Sequence, residues 1–535
     1  MEQHLYLSKK YFTEIGRTSD SLKENLFAFS LFLLPVGLLF GEVPTSVSEI
    51  IVCVLWIFSV KKQEILSLWS NKYFWLLVSL YILHILGLAY TSDFKYALND
   101  LRIKLPLLFF PVVFFSKQEV IHRYFVWWMK WFVVVTFINI SYLFIAAYLR
   151  HSDIVDARNV SLFISHIRLG LIVAFAIVAS FYLIFNHIHH LMEKIFFFVI
   201  SMIMFVLMNY LGFMTGIVSL FVSAFVGIVY MIVKNANPVH TKRIVALVVF
   251  ALLMMGVYLV HLHSIYFPKT IKISLYTHTC NGNVYYNDTL SHFSENGYPV
   301  FIHICDVELK KEWNKRSQFN YDGKDKNNNE LRYTLYRYLA SKGLTKDSAG
   351  ISQLTATDIA NIENGCPNYH YCNANFFEKR FYELMQEYYY YQHTKNPSGK
   401  TIAMRLFYWK LAFKIWMKNF WTGVGTGDVQ NAFNVMYRQY PDIPPHQQLR
   451  GHNQILTIAF TFGIIGLMVF LSVYLYPLLT FRNAEDYVLL VLFITIAVLS
   501  FFIDDTLETQ PGATFIALFY TLLVTRCYMN ARQVQ

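Results

Sequence analysis

The chain has 535 residues, of which 56% are hydrophobic, 18% aromatic and only 15% charged, with a formal net charge of +11. A soluble domain carries about 25% charged residues, so this balance excludes an ordinary water-soluble enzyme and belongs to a membrane-embedded chain. The positive charge would suggest nucleic acid in a soluble protein; membrane topology explains it better here, and nucleic-acid binding is discounted.

Apolar runs bounded by charges or turn residues predict spans near 26–41, 45–60, 73–90, 102–116, 122–148, 168–185, 195–211, 214–233 and 244–261. After a long polar interval, three more close the chain near 453–480, 486–503 and 511–526. The expectation is an all-α polytopic membrane protein with about twelve transmembrane helices and one large, partly helical insertion before the tenth. The 102–116 run is the weakest of them, being short and interrupted by Pro106 and Pro111. No small-residue cleavage site follows the first apolar run, so that run should remain as an anchor.

Lys and Arg in short loops set the orientation. Lys9, Lys10, Arg17 and Lys23 precede the first span, Lys61, Lys62 and Lys72 follow the second, and Lys117 and Arg123 follow the fourth. Lys234, Lys242 and Arg243 come after the eighth, and Arg526 and Arg532 after the last. All fall on one face if both termini are cytoplasmic, which puts the insertion outside, in the periplasm of a Gram-negative cell. Three regions follow: a membrane domain over 1–261, the periplasmic insertion over 262–452, and a C-terminal membrane domain over 453–535.

The insertion is polar and rich in Asn and Tyr. Within it, Leu406, Trp409, Phe413, Trp416 and Phe420 repeat at helical spacing, predicting an amphipathic helix near 401–421 at the membrane surface. Cys280, Cys305, Cys366 and Cys372 also lie there; in an oxidising compartment they predict two disulfides, with three pairings open. Zinc is the alternative reading, but the spacing fits no familiar ligand pattern, and no metal or other cofactor is expected.

Between Arg405 and Gly466 polar residues appear that packing does not require: R-L-F-Y-W, then F-W-T-G-V-G-T-G-D, then G-H-N-Q-I-L-T-I-A-F-T-F-G-I-I-G. In this stretch the chain resembles the O-antigen ligase and polymerase superfamily of bacterial envelope glycan enzymes. The ligase branch has a His, then Asn, Ser or Gln, nine residues and G-x-x-G, a spacing reproduced by His452, Asn453, Gly463 and Gly466. The resemblance implies a donor glycan on undecaprenyl pyrophosphate and an acceptor such as lipid A-core or another glycan or protein, with membrane lipids as surroundings. A polymerase that extends one lipid-linked repeat with another, and a protein O-oligosaccharyltransferase, belong to the same superfamily. A transporter of lipid-linked glycans is the reading from another class; it would gather ionisable residues at the bilayer midplane, whereas here they gather at the outer interface.

Chemistry supports the same place. Glycan transfer from a pyrophosphate needs a cation for the leaving group, a base for the acceptor hydroxyl and a floor at the membrane surface. Imidazole titrates near neutral pH, so His452 is the expected catalytic group, with Asn453 orienting it. Arg405 is the expected phosphate clamp and catalytic cation, and Arg168, with His166 beside it, the second pyrophosphate contact. Arg102 and Lys104 read as interfacial anchors. No strand precedes Gly423 to Asp428, so this is not a nucleotide loop; Gly423 and Gly425 should let the backbone turn beside the donor, with Asp428 as a cap. Asp504, Asp505 and Glu508 stand between the last two spans, and carboxylates there are costly unless solvated, paired or functional. The resemblance also leads to an expected cation where Met214 stands in G-F-M-T-G.

Overall fold

The computed structural model describes residues 19–149, 163–235, 238–268, 271, 273–291, 293–394, 397 and 401–534. The chain is an all-α polytopic membrane protein. Among the described residues nine helices are long and apolar enough to cross a bilayer: Leu22–Phe40, Glu42–Ser59, Lys72–Tyr90, Gln118–Leu149, His166–Asn186, Leu191–Tyr210, Met214–Lys234, Gln454–Thr480 and Gln510–Arg532. The apolar stretches Leu253–Tyr266 and Tyr487–Ile503 are shorter.

The 102–116 expectation is corrected. Pro106 cannot donate a backbone N–H, so it ends the Phe94–Lys104 helix and stands at the first turn of a separate helix, Pro106–Ser116. Eleven residues rise only about 17 Å, too short to cross a bilayer core of about 30 Å.

Two compact units divide the chain, one formed by residues 1–236 with 408–535 and the other by 237–407. The long interval expected at 262–452 is therefore split, because residues 408–452 pack with the membrane helices. In the first unit the final helix, Gln510–Val534, is the most enclosed, with 89% of its apolar window buried. Phe519 on it meets Phe132 at 4.5 Å and Phe175 at 4.9 Å between ring centres, so aromatic faces from four chain segments, Phe493 included, close the centre.

The Gln454–Thr480 helix is broken at Gly463, whose φ of 67° and ψ of −163° are non-helical. The break frees the carbonyls of Phe460 and Thr461, which accept from Val424 N (2.9 Å) and Gly425 N (2.9 Å), while Ile464 N donates to Phe420 O at 2.8 Å. Freed backbone groups inside a bilayer must be satisfied by protein, and the Phe420–Gly425 segment does this. Close approach demands glycine on both sides: a Cβ on Gly463 would stand 2.2 Å from Trp421 O, and one on Gly423 2.2 Å from Thr461 O.

In the second unit, Trp313, Leu335, Tyr338, Leu339 and Ile362 form a small core, beside a short hairpin pairing Ser294–Glu295 with Tyr298–Pro299. Of the four cysteines, Cys366 and Cys372 are bonded, while Cys280 is exposed and Cys305 buried, each with a free thiol. The two-disulfide expectation is therefore met by one bond. On the Thr401–Lys418 helix, Leu406 and Phe413 stay exposed while Leu411, Ala412 and Ile415 are buried.

Gly463→Ala should lower thermal stability in mild detergent by about 1–3 kcal/mol, the range for a side chain forced into a sparsely populated backbone region. An unchanged melting temperature would show that the break does not need glycine.

Candidate functional site

Asn453 caps the Gln454–Thr480 helix, its side chain accepting from Leu456 N at 3.0 Å. The residue before it, His452, has φ of +43°, a left-handed conformation uncommon for a side-chain-bearing residue. Such strain marks functional positions when surrounding contacts impose it. Here the contacts are with two carboxylates: His452 Nδ1 lies 3.3 Å from Asp504 Oδ1 and 3.6 Å from Asp505 Oδ1. The ring is one-third exposed, whereas both carboxylates are about nine-tenths covered. Tyr408 flanks it, with ring centres 5.5 Å apart.

Arg168, near the start of the His166–Asn186 helix, reaches the other oxygen of Asp504 at 3.3 Å. Its Nε is buried without a hydrogen-bond partner among the described residues. Gly170 on this helix touches Gly216 on the helix that begins at Met214, so a Cβ on Gly216 would lie 2.4 Å from Gly170 O. Arg168 and Met214 each stand two residues before these glycines. The helix that carries Arg168 thus supplies a cation beside the one that carries Met214.

Behind the dyad lies a second layer. Glu508 meets Lys104 Nζ at 3.0 Å and Arg450 at 3.3 Å, Lys104 also pairs with Asp100, and Arg450 donates to Tyr96 OH. Gln454 ties the layers together, accepting from Leu507 N at 2.8 Å and donating to Glu508 at 3.4 Å. Lys104 is buried, so the reading of it as an interfacial anchor is corrected; Arg102 is exposed and hydrogen-bonds Asn99 at 2.9 Å.

The cluster holds three fixed cations, Lys104, Arg168 and Arg450, against four carboxylates, Asp100, Asp504, Asp505 and Glu508. It is one proton short of neutrality. Burial and the adjacent Asp504 charge push the Asp505 carboxyl up to about 6. Burial also acts upward on Asp504, but the hydrogen bonds with the His452 and Asp505 side chains, with the Arg168 charge, outweigh it and hold Asp504 well below the usual carboxylate range. The Lys104 and Arg450 charges likewise overcome burial at Glu508, bringing it down to about 2. The ligand atoms of His452, Asp504 and Asp505 lie within 4.8 Å of one another, a spacing that could hold a metal ion. Arg168 already brings positive charge to Asp504 and would compete with one.

Other expected residues fall elsewhere. Arg405 belongs to the 237–407 unit, where it lies half-buried on the Thr401–Lys418 helix. His166 begins the Arg168 helix. Gly423 and Gly425 turn the backbone as expected, with φ of 71° and 88°, but against the broken helix. Asp428 makes no side-chain cap to the Val429–Tyr437 helix. Instead its carboxylate accepts from Ser92 N at 2.7 Å and from the Ser92 and Thr91 hydroxyls, fastening this loop to the end of the third span. Arg450, two residues before His452, was missed. An Arg so close to a motif histidine was a usable signal; the buried partner on Glu508 was not visible in the sequence.

Replacing Asp504 with Asn keeps the shape but removes the charge that fixes His452, so transfer should fall about 10²- to 10⁴-fold, the usual contribution of a positioned acid–base group, as measured by turnover of purified protein in nanodiscs. For Asp505, a pKa raised from 3.8 to about 6 means a contribution to stability that is full below pH 3.8 and lost as pH rises through about 6. The melting temperature of Asp505→Asn should accordingly gain on the native protein between those values and then level off. A constant difference across this window would contradict the burial argument.

A search of curated proteins finds no match to this chain. A family model described as O-Antigen ligase matches residues 373–471, which include Arg405, Asp428, Arg450 and His452, while Lys104, Arg168, Asp504 and Glu508 come from outside it. Residues 373–471 are thus similar to the O-antigen ligase family, and the match supports glycosyl transfer of the general ligase or polymerase kind.

Proposed function

We propose that the protein transfers a glycan from undecaprenyl pyrophosphate to an acceptor hydroxyl at the outer face of the bacterial inner membrane, as an O-antigen ligase does. The carrying observation is one carboxylate, Asp504, shared between His452 Nδ1 and Arg168. A proton on Nδ1, donated to Asp504, leaves Nε2 with its lone pair. Nε2 takes the acceptor's proton, the acceptor oxygen bonds to the anomeric carbon from the face opposite the pyrophosphate, and the carbon–oxygen bond to phosphate breaks. The carrier leaves as its pyrophosphate anion, so a single displacement inverts the anomeric centre. Arg168 is suited to the leaving group because its buried Nε keeps a donor without a partner among the described residues. Lipid A-core is the acceptor class in this reading, the insertion is periplasmic, and both termini are cytoplasmic.

His452→Ala in the native cell should abolish transfer and leave long glycan chains on the lipid carrier. Single repeats capping the core would instead identify a polymerase, modified protein lost from the envelope would identify a protein glycosyltransferase, and unchanged surface glycan would sink the enzymatic reading of His452.

A further inference from the structure

The 237–407 unit contains a groove that the transfer chemistry does not use. Its larger lobe encloses about 760 Å³ and its smaller lobe about 380 Å³, and Ser291, Phe293, Ser294 and His393 line both, so the two are continuous. Small-molecule sites span roughly 300–1,000 Å³, which gives this groove room for more than one ring-sized group.

Its walls are aromatic and held in place. Tyr389 is fixed by His263 Nε2 on its hydroxyl at 2.6 Å and by Phe267, whose ring stacks on it at 4.9 Å and 19°. On the other side the Arg337 guanidinium lies 5.3 Å over Phe293. Arg337 cannot swing away, because Glu295 accepts from its Nε at 2.8 Å and Tyr382 OH from its NH2 at 3.0 Å. Glu295 is itself buried, and accepts from Tyr382 OH at 2.6 Å and Asn368 Nδ2 at 2.8 Å. A buried network this fully satisfied is rigid, so Phe293 is a preformed surface. Gln386, hydrogen-bonded to Tyr382 OH at 3.3 Å, enters the larger lobe from the Phe376–Thr394 helix.

Among the described residues lining the larger lobe there is no Lys, Arg, Asp or Glu. The smaller lobe carries Asp288, whose carboxylate already accepts from Leu290 N at 2.9 Å and Ser291 N at 3.1 Å. Among the described residues lining the larger lobe a phosphate or a charged peptide finds no Lys, Arg, Asp or Glu, and an acyl chain would strip water from Gln386 and the serines without replacing its hydrogen bonds. A neutral sugar ring satisfies both features at once. Its axial C–H groups carry slight positive charge toward the negative face of an aromatic ring, and its hydroxyls meet amide, hydroxyl and imidazole groups at the edges.

We propose that this groove is a glycan-binding site, holding two or so neutral sugar rings of an envelope oligosaccharide. The choice of an oligosaccharide over other neutral ligands rests on the glycan-transfer reading above. Preformed walls reduce the ordering cost of binding a flexible chain.

Full-length protein in nanodiscs, probed by saturation-transfer NMR with delipidated oligosaccharide from the host's envelope glycolipid, tests this. Ring protons of adjacent sugars should receive saturation. Ser294→Trp and, separately, Ser291→Trp fill the shared lining from two positions, and each should weaken binding about tenfold or more while the protein keeps its melting temperature. His452→Ala should bind the oligosaccharide as the native protein does, because it lies outside the groove; this separates failure of the groove from failure of the transfer reading. Binding undiminished by either tryptophan would overturn the proposal, as would no saturation of the sugar, or saturation of decanoate or of a neutral peptide in its place.

Discussion

Four carboxylates buried at one end of a helix bundle are not tolerable on their own, and their pairing governs how the rest of the membrane unit is arranged. Asp504, Asp505 and Glu508 come from the turn before the final helix, Asp100 from the helix before the Pro106 break. Their cations are Lys104, on the same helix as Asp100, and Arg168 and Arg450 from two other places. Segments some 400 residues apart in sequence are thereby fixed against one another. Removing one member leaves an uncompensated buried charge, a change that costs several kcal/mol in such settings. The helix that Pro106 ends carries, at Lys104, the ammonium that Glu508 and Asp100 share.

A backbone device complements the ionic one. The break at Gly463 would leave carbonyls bare in a bilayer, and the Phe420–Gly425 segment supplies their N–H partners. Asp428 then fastens that segment to Ser92, and Thr426 to the carbonyl of His84 at 2.7 Å. The loop leading to His452 is thus tied at both ends, through backbone contacts and charge. Left-handed His452 is the outcome, an imidazole standing off a helix start and aimed at two carboxylates.

Much of this was legible in the sequence because bilayer physics is blunt. Long apolar runs became helices almost where expected, while His452 and Asn453 were pointed to by the resemblance to the ligase superfamily and Arg168 by its place at the outer end of a span. What failed depended on distance in space. Lys104 read as an anchor because one of its two partners, Glu508, is about 400 residues away, although the other, Asp100, is one helical turn before it. Asp428 resembled a helix cap because a following helix was visible while Ser92 was not. Gly423 and Gly425 were recognised as turn formers, yet the surface they approach is a kink that no local pattern announced. Cysteine counting likewise gave the number of thiols and not their separation.

The central claim is that Asp504 holds His452 with its proton on Nδ1 and its basic nitrogen on Nε2. Nitrogen-15 NMR of histidine-labelled protein in nanodiscs, with the His452 signals assigned by comparison with His452→Ala, measures this directly. At a pH where the ring is neutral, the account predicts a protonated Nδ1 and an unprotonated Nε2, and a shift toward the Nε2-protonated tautomer in Asp504→Asn. A proton resident on Nε2 in the native protein, unaffected by that substitution, would contradict it.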